Sequence, residues 1–304
     1  MLGARQAQQR YDLWNGEVQP LSLDWTDPML RALERSAASA TERIVFLAPS
    51  DATALDTFPN VEVDGERHDA LLRDMQRFRG GIYRKDGAIQ PQQLTLDGRH
   101  QTTEDESSWH MLLMDDQKRV DGCVLYREHD SDVTIDQLRV KQCPLAEDPE
   151  WRPTFLSAIG GELDRARSEG LKYVEVGGWA VSEKSRRTAG SLALALAVYG
   201  FSRRGAGTLA MTTATFRHCS AKILKRLGGA RFEVDGATLP PYYDPRYRCL
   251  MELLRFDSRH PNPQYAGLIN RIEDTLDKVR VIARPAVAPS LAMSHAMFAE
   301  LAIA

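Results

Sequence analysis

The stretch from residue 109 to residue 254 constrains the fold most, because strand and helix patterns alternate there in a definite order. Two apolar runs at 109–114 and 119–126 flank a polar turn, which predicts a hairpin. A third strand is predicted at 133–140. The elements predicted beyond it are a helix at 153–169, a strand at 173–181, a helix at 187–203, a strand at 208–214, a helix at 220–227 and strands near 230–234 and 249–254.

This order predicts a mixed α/β sheet in which helical crossovers join the later strands. Upstream, Asp27 and Pro28 are typical of a helix start and predict a helix at 28–38, and residues 43–47 predict a strand. An amphipathic helix is predicted at 67–78, ending at Gly80 and Gly81. We therefore expect three parts: a helical extension over 1–65, the main α/β domain over 66–260, and a helical or partly disordered tail over 261–304.

Composition excludes several classes of protein. The net charge is -3, so nothing indicates a general affinity for nucleic acid. No apolar run is long enough to span a membrane, and the first residues lack the apolar core of a signal peptide, which predicts a cytoplasmic location. The four cysteines form no CxxC pair and have no histidines at metal-ligand spacing, so we expect reduced thiols and no metal.

The segment from Tyr173 to Gly229 contains the pattern with the clearest chemistry. One acid, Glu175, lies in an otherwise apolar strand, and the loop that follows contains Arg186, Arg187 and Gly190 and leads directly into a helix. The N–H groups and the dipole at a helix start favour an anion, and arginines can add charge-assisted hydrogen bonds. A glycine lets the backbone approach such a ligand closely. An ordinary solvated loop before a helix is the alternative.

The loop resembles the acyl-CoA motif of the GNAT superfamily, which reads Gln or Arg, two residues, Gly, one residue, then Gly or Ala. The run from Arg187 to Leu192 fits it with leucine in the last position, and a register that begins at Arg186 and uses Ala189 and Ser191 also fits. The next strand and helix resemble the second GNAT region. There the family's Asn, Ala and Leu positions fall on His218, Ala221 and Leu224, and Lys225 replaces the Tyr that would act as general acid.

Within this superfamily, the sequence is most similar to the autoinducer (acyl-homoserine-lactone) synthases and the long-chain N-acyl amino acid synthases. Their strand reads Glu, two residues, Arg, Phe, Ala, Val; the strand from Glu175 to Val181 keeps the Glu, an aromatic residue and Ala-Val, with Gly178 replacing the Arg. Their N-terminal half pairs an Arg with an aromatic residue, as in Arg79 and Tyr83, before an acidic loop like that at 104–106.

The resemblance implies a GNAT-like fold with a mixed, mostly antiparallel sheet, flanking helices and a V-shaped splay between strands 173–181 and 208–213. It implies N-acyl transfer from acyl carrier protein or acyl-CoA to the amine of a small acceptor such as an amino acid or a derivative. No cofactor would be bound permanently, and a homodimer is possible. The alternatives are a short-chain acetyltransferase acting on a protein or polyamine, and a degenerate GNAT domain that binds an acyl ligand or a partner.

The same resemblance assigns site residues. Glu175 would be the general base that accepts the proton of the attacking amine, with a salt-bridged strand residue as the alternative. The residues predicted to bind the donor are Trp179, Ala180, Val181, Arg186, Arg187, Ala189, Gly190, Ser191 and His218. Those predicted to bind the acceptor are Arg79, Tyr83, Glu104, Asp105 and Arg127, although the acids could be a solvated loop and the arginines could pair with them. Lys222, Lys225 and Arg226, with Arg203 and Arg204, form a basic surface that could dock a carrier protein or simply be solvated. Tyr242 or Tyr243 could supply the missing acid or line the acyl tunnel.

Overall fold

A computed structural model describes residues 39–52, 55–186 and 188–285, so Arg187, the predicted helix at 28–38 and the end of the predicted tail lie outside the described residues. The strands are β1 (Ile44–Leu47), β2 (Val61–Val63), β3 (Trp109–Met114), β4 (Val120–His129), β5 (Lys172–Val181), β6 (Thr208–Thr215), β7 (Ala230–Arg231), β8 (Glu233–Val234), β9 (Ala237–Thr238), β10 (Tyr242–Asp244), β11 (Cys249–Asp257) and β12 (Arg280–Ala283). The helices are α1 (Gly65–Lys85), α2 (Arg152–Glu169), α3 (Ala189–Ser202), α4 (Ser220–Arg226) and α5 (Pro263–Leu276).

A 10-stranded sheet organises the chain, in the order β10-β11-β6-β5-β4-β3-β1-β12-β2, with β7 also pairing with β11. The pairs β5–β6, β1–β12 and β12–β2 are parallel, and the other pairs of this sheet are antiparallel. The predicted mixed, mostly antiparallel sheet is therefore confirmed. The helix that precedes β6 makes the crossover that parallel pairing requires.

Helices cover both faces of this sheet. Along β3, Leu112 packs in the cluster that contains α1, whereas Met111 and Leu113 pack in the cluster that contains α3 and α5. Along β5, Tyr173 packs with α2 and Val174 packs with α3. Because successive side chains of a strand point to opposite faces, α1 and α2 lie on one face and α3 and α5 lie on the other.

Local signals set the ends of several helices. Asp64 caps α1 by accepting the backbone N–H of Arg67 at 3.0 Å, and α2 ends where Gly170 adopts a φ of 66°. The predicted stop of the first amphipathic helix at Gly80 is wrong, because α1 continues to Lys85. A Cβ on Gly80 would lie 2.9 Å from Leu94 and 3.0 Å from a backbone oxygen, so this glycine lets the following loop pack closely against the helix.

The predicted strand at 133–140 is also wrong. The segment forms the short 3-10 helix Ile135–Gln137 and the start of a second one, Arg139–Gln142. Its buried residues Val133, Leu138 and Val140 pack with α2. The backbone N–H groups of Arg139 and Val140 donate to the carboxylate of Glu175 in β5 rather than to a neighbouring strand.

The sheet extends past the expected part boundaries at 65 and 260. Strand β1 pairs with β3, and β12 lies between β1 and β2 with Phe46 opposite Val281. Helix α5 packs against α3, where a Cβ on Gly200 would lie 3.3 Å from Leu276. Residues 44–63 and 263–283 therefore contribute to the same sheet and core as the central segment.

Candidate active site

Strands β5 and β6 separate halfway along their length. They pair from Lys172 opposite Thr208 to Val176 opposite Thr212, and no further pairs join them. Beyond this point β5 stays paired with β4 on its other side, and β6 stays paired with β11 up to Thr215. The predicted V-shaped splay is thus confirmed. Each of the two diverging strands presents backbone N–H and C=O groups towards a wedge-shaped gap.

A β-bulge lies in β5 at the start of this gap. Cys123 and Leu125 of β4 pair with Ala180 and Gly177, so two residues of β5 occupy the space opposite one residue of β4. Gly178 has a φ of 64°, a conformation that other residues rarely adopt. A Cβ on it would also lie 3.2 Å from Leu125 and 3.5 Å from Nη1 of Arg79. These two constraints explain why glycine occupies the position at which the motif that this strand resembles has arginine.

The gap opens into a cavity of about 370 Å³. Its walls come from the end of α1, the loop at Glu104, strands β4, β5 and β6, and the segments around Arg139 and Tyr247. The charged residues in the wall are the arginines 127, 139, 186, 217 and 246 and the carboxylates Asp86, Glu104 and Glu175. The cavity therefore has an excess of positive charge in a chain whose net charge is -3. Such a charge distribution suits an anionic ligand.

A second, apolar cavity of about 60 Å³ lies next to the first, on the face covered by α3. Val176, Gly177, Trp179, Thr212 and Leu224 line both cavities, so the gap between β5 and β6 connects the two faces of the sheet. The indole N–H of Trp179 is buried and has no hydrogen-bond partner among the described residues. The smaller cavity ends near the side chains of Tyr199, Ser202 and Ser258.

Glu175 lines the larger cavity, and its carboxylate is bonded on both oxygens. Oε1 accepts the backbone N–H of Val140 at 2.9 Å, and Oε2 accepts the backbone N–H of Arg139 at 2.9 Å. Nε2 of His129 lies 3.1 Å from Oε2. From the sequence, Glu175 was expected to be either a general base or a salt-bridged residue of the strand. The structure shows in addition that its carboxylate holds the turn at 139–140 against β5.

Arg79 and Asp105, predicted to bind the acceptor, are buried and pair with each other. Nη1 and Nη2 of Arg79 donate to the two oxygens of Asp105 at 2.9 and 2.8 Å. Asp105 also accepts hydrogen bonds from Gln76 and Thr102, and neither Arg79 nor Asp105 lines the cavity. Their geometry is therefore that of the alternative given in the sequence analysis, in which Arg79 pairs with an acid of the loop at 104–106. Burial raises the pKa of Asp105, but the bonds from Arg79 outweigh it and lower the pKa to about 2.

The predicted anion loop is only partly directed at the cavity. Arg186 and Ser191 line it, whereas Ala189 and Gly190 do not. Nη2 of Arg186 donates to Asp86 at 2.6 Å, and its Nε donates to the carbonyl of Val181 at 3.2 Å. A Cβ on Gly190 would lie 3.1 Å from Leu113, so this glycine allows close packing of α3 on the sheet and does not face a ligand.

The other predicted site residues also fall into two groups, those that line the larger cavity and those that do not. Trp179, Ala180, Val181, Tyr83, Glu104 and Arg127 all line the larger cavity. His218 lies in the 3-10 helix Arg217–Cys219, and its side chain is outside the described part of the structure. Tyr242 is buried and Tyr243 exposed, and neither lines the cavity. On the basic surface, Lys225 pairs with the buried Glu252 at 2.8 Å, which leaves that surface less positive than its sequence indicates.

The wall residues that sequence reasoning missed include Arg139, Arg217 and Tyr247. Nη2 of Arg139 donates to the hydroxyl of Tyr247 at 3.0 Å, and Arg217 donates to the carbonyl of Asp86 at 2.6 Å. Arg139 lies within the segment predicted as a strand, where an arginine between apolar residues indicates no function. Only the contact between segments separated by 108 residues brings Arg139 and Tyr247 together.

In the described residues, no group of three or more His, Cys, Asp and Glu side chains could hold a metal ion. Across residues 39–285, leaving aside the gaps given above, no helix is long and apolar enough to cross a membrane.

Cys143 is the cysteine in the cavity wall, and burial raises the pKa of its thiol to about 11, so it is not a thiolate at neutral pH.

Comparisons with known proteins give structural similarities only. No family model and no curated protein sequence matches the chain. FeeM, an N-acyl amino acid synthase from uncultured soil microbes, matches with a TM-score of 0.41 and 15% identity over 66% of this chain and 89% of its own. BjaI, a CoA-dependent acyl-homoserine lactone synthase, matches with a TM-score of 0.46 and 13% identity over 83% and 99%. The AHL synthase LasI matches with a TM-score of 0.44 and 17% identity over 65% and 87%.

The chain is similar to both groups of synthases that its motifs indicated. The chemistry of the cavity, rather than these similarities, is what supports a function.

Proposed function

We propose that the chain is an N-acyltransferase that moves an acyl group from an acyl-CoA or acyl carrier protein thioester to the amine of a small acceptor. The observation that supports this proposal most directly is the gap between β5 and β6, which opens at Val176 and Thr212 into a positively charged cavity. A thioester donor needs a channel for a polar arm, an anion site near its entrance and an apolar site for the acyl chain. The described cavities offer all three.

The donor arm fits the gap for a chemical reason. Phosphopantetheine contains two amides, and an extended amide chain can pair with the free edge of a strand as an added strand would. Beyond the last β5–β6 pair, the edges from Gly177 to Ala180 and from Thr213 to Thr215 have no partner strand across the gap among the described residues, so they can supply such groups. Arg186 and Arg217 lie in the wall with the first turn of α3, where Ser191 also lines the cavity, so a phosphate would meet positive charge there.

The acyl chain would lie in the apolar cavity beyond Trp179. That cavity is lined by residues of α3, α4 and β11, including Ala195, Leu224 and Phe256, and it is reached through the gap. Its volume of about 60 Å³ favours a chain of limited length unless side chains move. This placement leaves the thioester carbon near the β5 bulge, where backbone N–H groups could stabilise the oxyanion of the tetrahedral intermediate.

The reaction would be a direct attack on the thioester. The amine nitrogen forms a bond to the carbonyl carbon, the carbon–sulfur bond breaks, and a carboxylate accepts the amine proton. Glu175 remains our candidate for that base, because Oε1 accepts one hydrogen bond and an ionised oxygen can accept another. The thiol that leaves has an ordinary pKa near ~8.5, so it departs as a thiolate without a strong general acid. Cys143 is protonated at neutral pH, which argues against an acyl-enzyme intermediate.

Filling the gap tests this proposal. A Cβ on Gly177 meets only Nη1 of Arg139, at 3.9 Å, so Gly177→Leu can fold while its side chain occupies the donor channel. We expect wild-type protein to release free thiol from acyl-CoA or acyl carrier protein donors when pooled amino acids are added. We expect Gly177→Leu to lose at least 10-fold of that rate at an unchanged melting temperature.

Gly161→Leu is the matched control, because a Cβ on Gly161 meets nothing within 4 Å on the surface of α2. That variant should keep the wild-type rate. Absence of acceptor-dependent thiol release with every donor, or full activity in Gly177→Leu, would refute the proposal.

A further inference from the structure

Arg139 lies in the cavity wall with most of its hydrogen-bonding capacity unused. Its side chain is half-buried, and within the described residues its guanidinium has one hydrogen bond, from Nη2 to the hydroxyl of Tyr247 at 3.0 Å. A guanidinium has five N–H donors in a fixed fork that matches a carboxylate. No carboxylate in the described part of the chain lies within 4.0 Å of it as an ion-pair partner. The cavity wall therefore contains a guanidinium that has no ion-pair partner among the described residues.

The position of this arginine is fixed by its own backbone. The N–H groups of Arg139 and Val140 both donate to the carboxylate of Glu175 at 2.9 Å, and Val140 is buried among the residues of α2. The turn is thus held to β5 at one end and to the core at the other. Because these bonds involve backbone atoms, the side chain of Arg139 is not needed to form the turn. A group held in this way is pre-organised for a ligand.

A negative group stands in the same cavity. Glu104 and Tyr83 line it together with Arg139, and no ion pair joins Glu104 to Arg139 among the described residues. The two charges nevertheless act on each other. Burial raises the pKa of Glu104, but a bond from its own backbone N–H and the charge of Arg139 outweigh this and lower the pKa. A positive and a negative group thus face one cavity with space between them.

We propose that Arg139, assisted by the hydroxyl of Tyr247, is the specificity-determining residue that binds the carboxylate of the acceptor, while Glu104 receives its amino group. The acceptor is then an amino acid rather than a simple amine: it enters as a zwitterion, its ammonium gives one proton to the carboxylate of Glu104 before attack, and the neutral amine gives its second proton to Glu175 as the amide forms. This inference rests on the proposed acyl transfer and specifies its acceptor. Nη1 of Arg139 lies 3.9 Å from a Cβ placed on Gly177, so a carboxylate bound there would lie beside the gap that holds the thioester.

The same arrangement explains how the site functions without the arginine that the related strand motif has. Gly178 cannot accept a large side chain, because of its φ of 64° and its contacts with Leu125 and Arg79. A guanidinium from the turn at 139–140 instead reaches the wall of the same cavity beside β5. Arg139 therefore supplies positive charge to the cavity from a different part of the chain.

Paired acceptors test this inference. Transfer to tyrosine and to tyramine, and to leucine and to isoamylamine, is measured as kcat/KM with one donor. We expect wild-type protein to prefer the amino acid of each pair, and Arg139→Gln to lose about 10- to 100-fold with the amino acids but less than about threefold with the amines. Arg139→Lys, which keeps the charge without the fork, should lie between them. Arg77→Gln is the matched control, because Arg77 pairs with Asp74 and Asp97 away from the cavity.

Two results would overturn the inference: equal use of amines and amino acids by the wild type, or an equal loss with both in Arg139→Gln. Failure of the proposed function is distinguishable, because it would show as no transfer by the wild type to any acceptor. Calorimetry of tyrosine and tyramine with donor-free protein then decides the carboxylate site by itself. Binding of tyrosine that is lost in Arg139→Gln supports it, and absence of tyrosine binding to the wild type refutes it.

Discussion

Replacing Glu175 by alanine removes the acceptor of three hydrogen bonds at once. Two come from the backbone N–H groups of Arg139 and Val140 and one comes from His129, at 2.9, 2.9 and 3.1 Å. A hydrogen bond to a charged group contributes about 1.5–3 kcal/mol, and water in the adjacent cavity can replace part of what is lost. We therefore expect Glu175→Ala to lower the free energy of unfolding by about 3–5 kcal/mol. With an unfolding entropy near 2.1 cal/mol/K per residue, this corresponds to a melting temperature lower by roughly 5–8 °C.

The measurement combines calorimetry with hydrogen exchange. The amides of Arg139 and Val140 should exchange slowly in the wild type and at least 10-fold faster in Glu175→Ala. Glu128→Ala is the matched control on the neighbouring strand: within the described residues Glu128 forms an ion pair with Lys172 at the surface, so that variant should change the free energy by less than about 1 kcal/mol. An unchanged melting temperature and unchanged amide exchange in Glu175→Ala would refute the structural role of this carboxylate.

A second substitution separates that role from catalysis. Glu175→Gln keeps one acceptor oxygen and most of the side-chain volume, so it should lose about half of the stability lost by alanine. If Glu175 is also the base, Glu175→Gln should lower kcat by about 100-fold or more, far beyond its effect on folding. If Glu175→Gln has the kcat of the wild type, Glu175 is not the general base, and its role is to position Arg139.

Two further predictions concern pH and chain length. Burial lowers the pKa of His110 to about 4, below its unfolded value of 6.5, so the unfolded state binds more protons and stability falls as the pH drops through that interval. We expect the melting-temperature difference between wild type and His110→Gln to change by about 4 °C between pH 7 and pH 4.5, which corresponds to about 2.5 kcal/mol, and a constant difference would contradict a buried neutral His110. Trp179 lines both cavities, so Trp179→Ala should move the donor preference towards longer acyl chains, whereas Ala195→Phe should fill the smaller cavity and move it towards shorter ones. Rates over a series of acyl-CoA lengths measure this, and an unchanged profile in both variants would place the acyl chain elsewhere.

Local patterns were sufficient for much of the sheet. The strand β3 has the bounds that its apolar run predicts, and β5, β6 and α3 differ from their predicted bounds by a few residues. These elements are long or strongly apolar, so their own side chains decide their conformation. The expected splay followed from the motif resemblance, and the structure sets the point of divergence, because the last pair of β5 with β6 is Val176 with Thr212. Trp179, Ala180 and Val181, which are predicted to bind the donor, line the larger cavity.

Patterns failed where a distant contact decides the conformation. Residues 133–140 alternate like a strand, but their backbone is held by Glu175, 36 residues from Arg139, and their apolar side chains pack on α2. Gly80 and Gly190 resemble a helix stop and a ligand contact, although both serve close packing. Strands β2 and β12 are short, and their places come from pairing across the whole chain.

The amino-acid sequence by itself therefore determined the alternation of strands and helices, the acid-bearing strand and the loop that leads into α3, because hydrophobic period and turn chemistry act over a few neighbouring residues. Only the tertiary structure decided which side chains share the cavity. The bulge at Gly178 sets the faces of Trp179 and Ala180, and long-range contacts bring Arg139, Glu104 and Tyr247 to one wall. Such contacts depend on the packing of the complete sheet, which no short stretch of sequence encodes.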